Sequence, residues 1–293
     1  KVSSGKNSVT GDKAGDGLED AIFEIYDENL NLVDKIETDH RGIATSDDLP
    51  LGRYVIKEVE APKYYFTDGK PIYAEIKVHG DMIRLKVENT PIEPDVSVEK
   101  RGVAETMSGE TFRYTFSNIT NQSNCKLDEF YWHDELPTDA VRILSLNTGT
   151  WNERGTYDVW IKTNLHGWKR IERNLSTKVE YTIDMTPSAL GLASNEYVTN
   201  FKLEFGTVEE GFTSVKDPFI KVKVNNRLSQ GHRFVNKTDV GGRYGREWVY
   251  ARDSWITVIY KGYKFGPGRP KLPQTGGPNF FEKYPELLRY LED

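Results

Sequence analysis

The chain contains a single cysteine, Cys125. One cysteine excludes an intrachain disulfide and a four-cysteine zinc site. No apolar run approaches the ~20 residues of a membrane helix. Histidine is scarce: His40, His79, His133, His166 and His232 are scattered without metal-ligand spacing. Excess positive charge is also missing, since 39 basic residues face 45 acidic ones for a net charge of −6. That balance argues against a duplex nucleic-acid binder, which presents a basic face. No G-x-S-x-G, H-E-x-x-H or phosphate loop occurs. No signal peptide opens the chain, which starts abruptly at Lys1 and reads as a piece of a longer protein. What remains is 293 residues, 37% hydrophobic and 29% charged, enough for two domains with their own cores.

The composition changes near residues 90–96. Most of the acidic excess lies before that point, and all six tryptophans (Trp132, Trp151, Trp160, Trp168, Trp248, Trp255) lie after it. The text there reads Asn89-Thr-Pro-Ile-Glu-Pro-Asp95, and Pro91 and Pro94 interrupt regular structure. The expected organisation is a domain over 1–92, a larger one over 95–260, a Gly/Pro/Lys-rich linker with a terminal motif over 261–277, and a tail over 278–293.

The local signal is strand. Segments 21–26, 53–58 and 72–78 in the first part are short, β-branched and aromatic-rich, with turn residues between them. Segments 111–116, 197–205, 219–224 and 254–260 in the second alternate polar with apolar. Alternation means one buried and one wet face, as in antiparallel sandwiches. Helix signals are weak: 187–193 reads as a turn or two, and 280–291 is amphipathic but contains Pro285. The expected fold class is all-β, two tandem Ig-like or prealbumin-like β-sandwiches.

Six tryptophans in one domain open a rival reading, a carbohydrate-binding module. Trp132 and Trp255 sit in strand patterns and read as core. Trp151, Trp160 and Trp168 lie in a Gly/Asn-rich stretch and read as surface candidates whose grouping would make a sugar platform. An enzyme is a third class. The acid pairs Asp128/Glu129 and Glu209/Glu210 are ordinary in an acidic chain, and Cys125 with His133 lacks any mark of a triad. The expectation is no enzyme, no metal and no cofactor.

Residues Leu272, Pro273, Gln274, Thr275 and Gly276 read LPQTG after the Pro/Gly-rich linker. This resembles the LPXTG sorting signal of Gram-positive surface proteins. The resemblance implies cleavage between Thr275 and Gly276 by a sortase and joining of the threonine to peptidoglycan or a pilin lysine. It also implies an extracellular, wall-anchored location. The family signal continues into an apolar span and basic tail. Here it continues into Pro278–Asp293, where Lys283 and Arg289 face four acids, a tail unable to hold a precursor in a bilayer.

The first part strengthens that reading. Gly17–Asp27 (GLEDAIFEIYD), Leu51–Pro62 (LGRYVIKEVEAP) and Val87–Asn89 resemble, in order, the CNA B-type domain of SpaA-like pilins and adhesins. Asp20 stands where that family usually has glycine. In the second part, Val96–Gly102, Ser108–Tyr114, Asp134–Pro137 and Phe234–Asn236 resemble the sandwich modules that follow such domains.

The resemblance implies self-crosslinking chemistry, in which a first-strand lysine attacks the side-chain amide of a late-strand asparagine and ammonia leaves. The amine must be neutral and a neighbouring carboxyl protonated; burial drives both shifts. For domain one the carried-over residues are Glu58 as acid and Asn89, with Lys1 as the amine, Lys6 next and Lys13 third. For domain two they are Lys100 and Asn236, with Asp134 as acid; Asp128 and Glu129 are alternatives, and Asp134 also fits a turn cap before Leu-Pro. Such bonds put the load path through covalent links and resist proteolysis. A shaft subunit carries an acceptor lysine in a Y-P-K-like motif, and none is present. The implied roles are a wall-anchored adhesin, a minor pilin or a stalk, with a host extracellular protein or glycan as partner.

Overall fold

The computed structural model describes residues 1–260, which form two compact units, Lys1–Glu93 and a second beginning at Pro94. Both are built of strands. The segment 187–193 is a hydrogen-bonded turn rather than a helix: Leu190 N donates to Thr186 O at 3.1 Å and Leu192 N to Pro187 O at 2.8 Å.

The first unit contains β1 (Val2–Ser3), β2 (Ile22–Tyr26), β3 (Leu32–Glu37), β4 (Gly52–Glu60), β5 (Ile72–Ile76) and β6 (Glu88–Asn89). Four of them form an antiparallel sheet in the order β3-β2-β4-β5. The pleat of β2 and β4 turns Phe23, Ile25, Tyr54 and Ile56 to one face, where with Ala21 they form the core. Glu58 is in phase with Tyr54 and Ile56, so the pleat carries a carboxylate inward. β1 and β6 pair in parallel, Val2 opposite Glu88 and Ser3 opposite Asn89. This joins the beginning of the domain to its last strand. Gly42 permits the close approach of the first residue: its φ is +74°, and a Cβ there would lie 2.1 Å from the Lys1 carbonyl oxygen.

The second unit opens with β7 (Val96–Arg101), β8 (Glu105–Thr106), β9 (Thr111–Asn121), β10 (Leu127–Glu135), β11 (Val141–Asn147), β12 (Thr150–Trp151) and β13 (Thr156–Thr163). It continues with β14 (Lys169–Ser176), β15 (Thr182–Asp184), β16 (Val198–Val208), β17 (Ser214–Lys216), β18 (Phe219–Val224), β19 (Arg233–Tyr244) and β20 (Glu247–Ile259). Seven strands form one sheet, β14-β13-β16-β10-β19-β20-β8, and five form another, β15-β11-β18-β9-β7. β12 and β17 make a separate pair.

Aromatic rings bridge the two larger sheets. Phe116 of β9 meets Trp132 of β10 edge-on at 4.6 Å, and Trp132 meets Phe201 of β16 at 5.2 Å. A second cluster gathers Phe130, Phe205, Phe212 and Trp151, whose ring stacks on Phe212 at 5.3 Å. This is a β-sandwich whose core holds two aromatic clusters.

Candidate functional site

Each domain buries one lysine, one carboxyl group and one asparagine together. In the first, Lys1 Nζ donates a hydrogen bond to Asn89 Oδ1 and lies 3.1 Å from Glu58 Oε1. Asn89 Nδ2 donates to Glu58 Oε1 at 2.7 Å. The ring of Phe23 lies 5.5 Å from the ammonium. The lysine and glutamate side chains are 0% and 3% exposed, and Asn89 is buried. Burial pushes the Lys1 amine below its ordinary pKa, and the Glu58 carboxylate opposes that shift. Lys6 and Lys13, the other candidates, are exposed.

In the second domain the three groups come from three strands and both large sheets. Lys100 of β7 follows Val96 and Val98 in inward phase; Asp134 of β10 follows Trp132; Asn236 of β19 lies between Phe234 and Thr238. The β10 phase depends on an irregularity at Asp128–Glu129, where Glu129 has a φ of +53° and pairing slips on both sides. Lys100 Nζ hydrogen-bonds Asp134 Oδ2, and both side chains are wholly out of solvent. Phe116 and Tyr114 flank the amine, their ring centres 4.3 Å and 5.0 Å from Nζ. Gly102 leaves room for this sleeve: a Cβ there would fall 2.7 Å from the Tyr114 ring and 2.9 Å from Trp255.

Burial lowers the Lys100 pKa to about 8 against the pull of Asp134. Burial likewise pushes Asp134 up, with Lys100 the main opposing influence. Both shifts favour the uncharged forms. Asn236 is fully buried, and neither its amide nitrogen nor its oxygen has a hydrogen-bond partner. It stands near enough to Asp134 to help hold that pKa down, yet outside normal hydrogen-bond geometry. Asp134 Oδ1 is also unpartnered. Each such orphan costs about 1–3 kcal/mol, so this cluster is poorly explained as a stabilising network.

One participant was not apparent in the sequence. Asp253 of β20 accepts the Lys100 backbone N–H at 2.6 Å and the Ser254 N–H at 2.8 Å. It stitches β7 to the seven-stranded sheet beside the buried amine. Its neighbours give no local signal: Asp253 lies in the polar run Arg252-Asp253-Ser254, far along the chain from Lys100.

Other candidates are placed elsewhere. Asp128 accepts from Thr207 at 2.7 Å, and Glu129 pairs with Arg243 at 2.6 Å. Trp151, expected on the surface, is 1% exposed inside the aromatic core, because its short strand packs it against Phe205 and Phe212. Trp160 is half-buried and Trp168 exposed, so the three tryptophans do not line one platform. Cys125 is buried and its thiol is pushed up to about 11 by desolvation, unsuited to act as a thiolate. The motif Leu272, Pro273, Gln274, Thr275 and Gly276, its linker and the following tail lie outside the described residues.

Comparison with known proteins places the first domain in a class. Residues 7–91 match the family model of SpaA, a prealbumin-like fold domain. Among solved structures the chain is similar to BcpA, the major pilin subunit of Bacillus cereus, with 16% identity over 88% of this chain and 67% of that one and a TM-score of 0.31. It is also similar to the full-length major pilin SpaD of Corynebacterium diphtheriae, with 16% identity, 86% and 63% coverage and a TM-score of 0.31. For the collagen-binding subdomain of the Enterococcus faecalis surface protein ACE the figures are 12%, 55%, 95% and 0.25. A search of curated protein sequences returns no match.

Proposed function

We propose that this chain is part of an extracellular, wall-anchored surface protein, an adhesin, minor pilin or stalk, whose two sandwich domains each lock themselves with a Lys–Asn isopeptide bond. The observation that carries the reading is the recurrence of one buried constellation in two domains: Lys1, Glu58 and Asn89 in the first, Lys100, Asp134 and Asn236 in the second. In each, the lysine lies in or next to the domain's first strand and the asparagine in a late one. The SpaA-type domain over 7–91 supports the surface role. The LPQTG motif supports sortase as a partner, with peptidoglycan or a pilin subunit as acceptor.

The chemistry follows from desolvation. Transfer of one proton from the ammonium to the carboxylate replaces a costly buried ion pair by two neutral groups. The neutral Nζ attacks Asn Cγ while the protonated acid hydrogen-bonds Oδ1, stabilising the developing oxyanion. In domain one this requires the Asn89 amide to turn over, since its nitrogen now faces Glu58. The acid then relays a proton to Nδ2. The Nζ–Cγ bond forms, the Cγ–Nδ2 bond breaks, and ammonia departs with its third hydrogen drawn from the amine. The acid gives one proton to Nδ2 and takes one from the attacking nitrogen, so it ends protonated, keeping the proton it first took from the ammonium. The event happens once, because the lysine and asparagine are consumed, and it needs no cofactor.

Intact mass tests this directly. The expected mass of the purified protein is two ammonias below the sequence value, with peptide mapping placing the links at Lys1–Asn89 and Lys100–Asn236. An undiminished mass would remove the mechanism and leave two sandwiches held by packing.

A further inference from the structure

The second domain has a groove of about 440 Å³ formed by the end of β13, the β13–β14 connection and the segment 191–196. That size is within the range of small-ligand sites, roughly 300–1,000 Å³. Its walls differ in character. One carries the indole of Trp168, 43% exposed yet held in place, with Lys202 Nζ 5.1 Å from its ring and His133 packed at 5.6 Å. The base carries Glu196, only 7% exposed. Glu196 Oε1 accepts from Thr163 Oγ1 at 2.6 Å and pairs with His166 Nδ1 at 2.8 Å. Oε2 receives only a long contact from Ala193 N at 3.4 Å, which leaves an acceptor open. Hydrogen bonds from Thr163 and His166 hold the Glu196 pKa down, so the group is a carboxylate at neutral pH. Lys169 and the outer edge of His166 add polar groups at the rim.

The mixture selects a ligand chemistry. A purely apolar ligand would strip water from Glu196 and give it nothing in return. An anion would meet the carboxylate. A simple cation would use the carboxylate and the ring but none of the rim donors. A sugar has an apolar C–H face for the indole and hydroxyls that both donate and accept. We propose that this groove binds a neutral saccharide, one pyranose stacking on Trp168 and donating a hydroxyl proton to Glu196 Oε2, with Lys169 and His166 serving its other hydroxyls. The site would give the surface protein a glycan-binding function, and it does not depend on either isopeptide bond.

The full chain is applied to an array bearing neutral mammalian glycans, acidic glycans and oligosaccharides from bacterial walls, and the best neutral ligand is then titrated against tryptophan fluorescence. Binding to a neutral mammalian glycan or to a wall oligosaccharide supports the site and identifies its source. Trp168→Ala and Glu196→Gln should each weaken that ligand by about tenfold or more, while the ammonia deficit relative to each variant's own sequence mass stays unchanged. In the unaltered protein the same ligand should shield Trp168 from oxidation by N-bromosuccinimide, a readout that needs no variant. Absence of any neutral-glycan binding, binding confined to acidic glycans, or a ligand that neither variant weakens and that leaves Trp168 unshielded would overturn the proposal. A normal crosslinked mass with no sugar binding would sink this site alone; sugar binding with an uncrosslinked mass would sink the isopeptide reading alone.

Discussion

Among the described residues the second domain holds two sets of lysine, carboxylate and asparagine, and only one of them is shut away from water. In the first, Lys100 and Asp134 are 0% exposed and Asn236 is buried beside them. In the other, Lys216 Nζ pairs with Glu180, and Asn147 Nδ2 donates to Glu180 Oε1 at 2.9 Å, the same contact that Asn89 makes with Glu58. There the lysine side chain is 59% exposed and the glutamate 29%. The hydrogen bonds from Lys216 and Asn147 pull the Glu180 pKa down, whereas burial pushes Asp134 up. The residue types match and the protonation chemistry is opposite. Water keeps the outer set charged, and a charged amine has no lone pair to attack with. The difference teaches that desolvation, rather than the triad's composition, makes a site of this kind.

Removing a member of the buried set gives the largest expected effect. Lys100→Ala should raise the mass by one ammonia beyond the substitution itself and leave Asp134 buried without its partner. A buried pair broken in this way costs about 3–5 kcal/mol, to be read as a fall in the unfolding midpoint of the second domain. Unchanged crosslinking would show that another lysine reacts. Next comes Glu58→Gln, which keeps the shape but loses the exchangeable proton. Its first-domain bond should fail to form while the second-domain bond forms normally, seen as a deficit of one ammonia.

Smaller, but more diagnostic, is the pH dependence of bond formation after refolding an unreacted second domain within the full chain. Reaction needs one proton shared between Lys100 and Asp134. The rate should therefore be bell-shaped, falling in acid when both are protonated and in alkali when neither is, with one inflection near the Lys100 value of about 8. The two inflections belong to the pair, and a rate flat across this range would break the comparison. Stability of the unreacted domain carries the same signature. Lys100 binds its proton less tightly when folded, so its contribution rises as pH climbs from about 8 towards the ordinary 10.5. The smallest effect is expected at the outer set: Lys216→Ala should leave both the mass deficit and the unfolding midpoint where they were.

Much of this could be read from the chain, for a simple reason. Strands 22–26 and 219–224 show themselves by period-two alternation. Glu58, Lys100, Asp134 and Asn236 are marked in the sequence by the order of motifs that resemble the SpaA-like family and not by alternation; the structure sets each of them in inward phase with its apolar neighbours. Sequence failed where placement depends on long-range packing. Trp151 lies in a Gly/Asn-rich stretch that reads as surface, but β17 and the Phe205–Phe212 pair close over it. Asp253 reaches Lys100 across more than half the domain, and no local pattern announces that contact. The irregularity at Asp128–Glu129 resets the phase of β10, which alternation alone counts straight through.

The parallel pairing of β1 with β6 sets Lys1 against a strand that follows it by nearly the whole domain, and Lys100 and Asn236, on β7 and β19 of the two large sheets, are likewise far apart in the chain. If both proposed bonds form, the denatured protein is no longer a line. It would be two rings, spanning residues 1–89 and 100–236, joined by a short tether and followed by the rest of the chain. Closing rings of that size removes entropy from the unfolded state, and it changes refolding as well. The pairing with the greatest separation in sequence, ordinarily the slowest to be found, would be waiting before the search began.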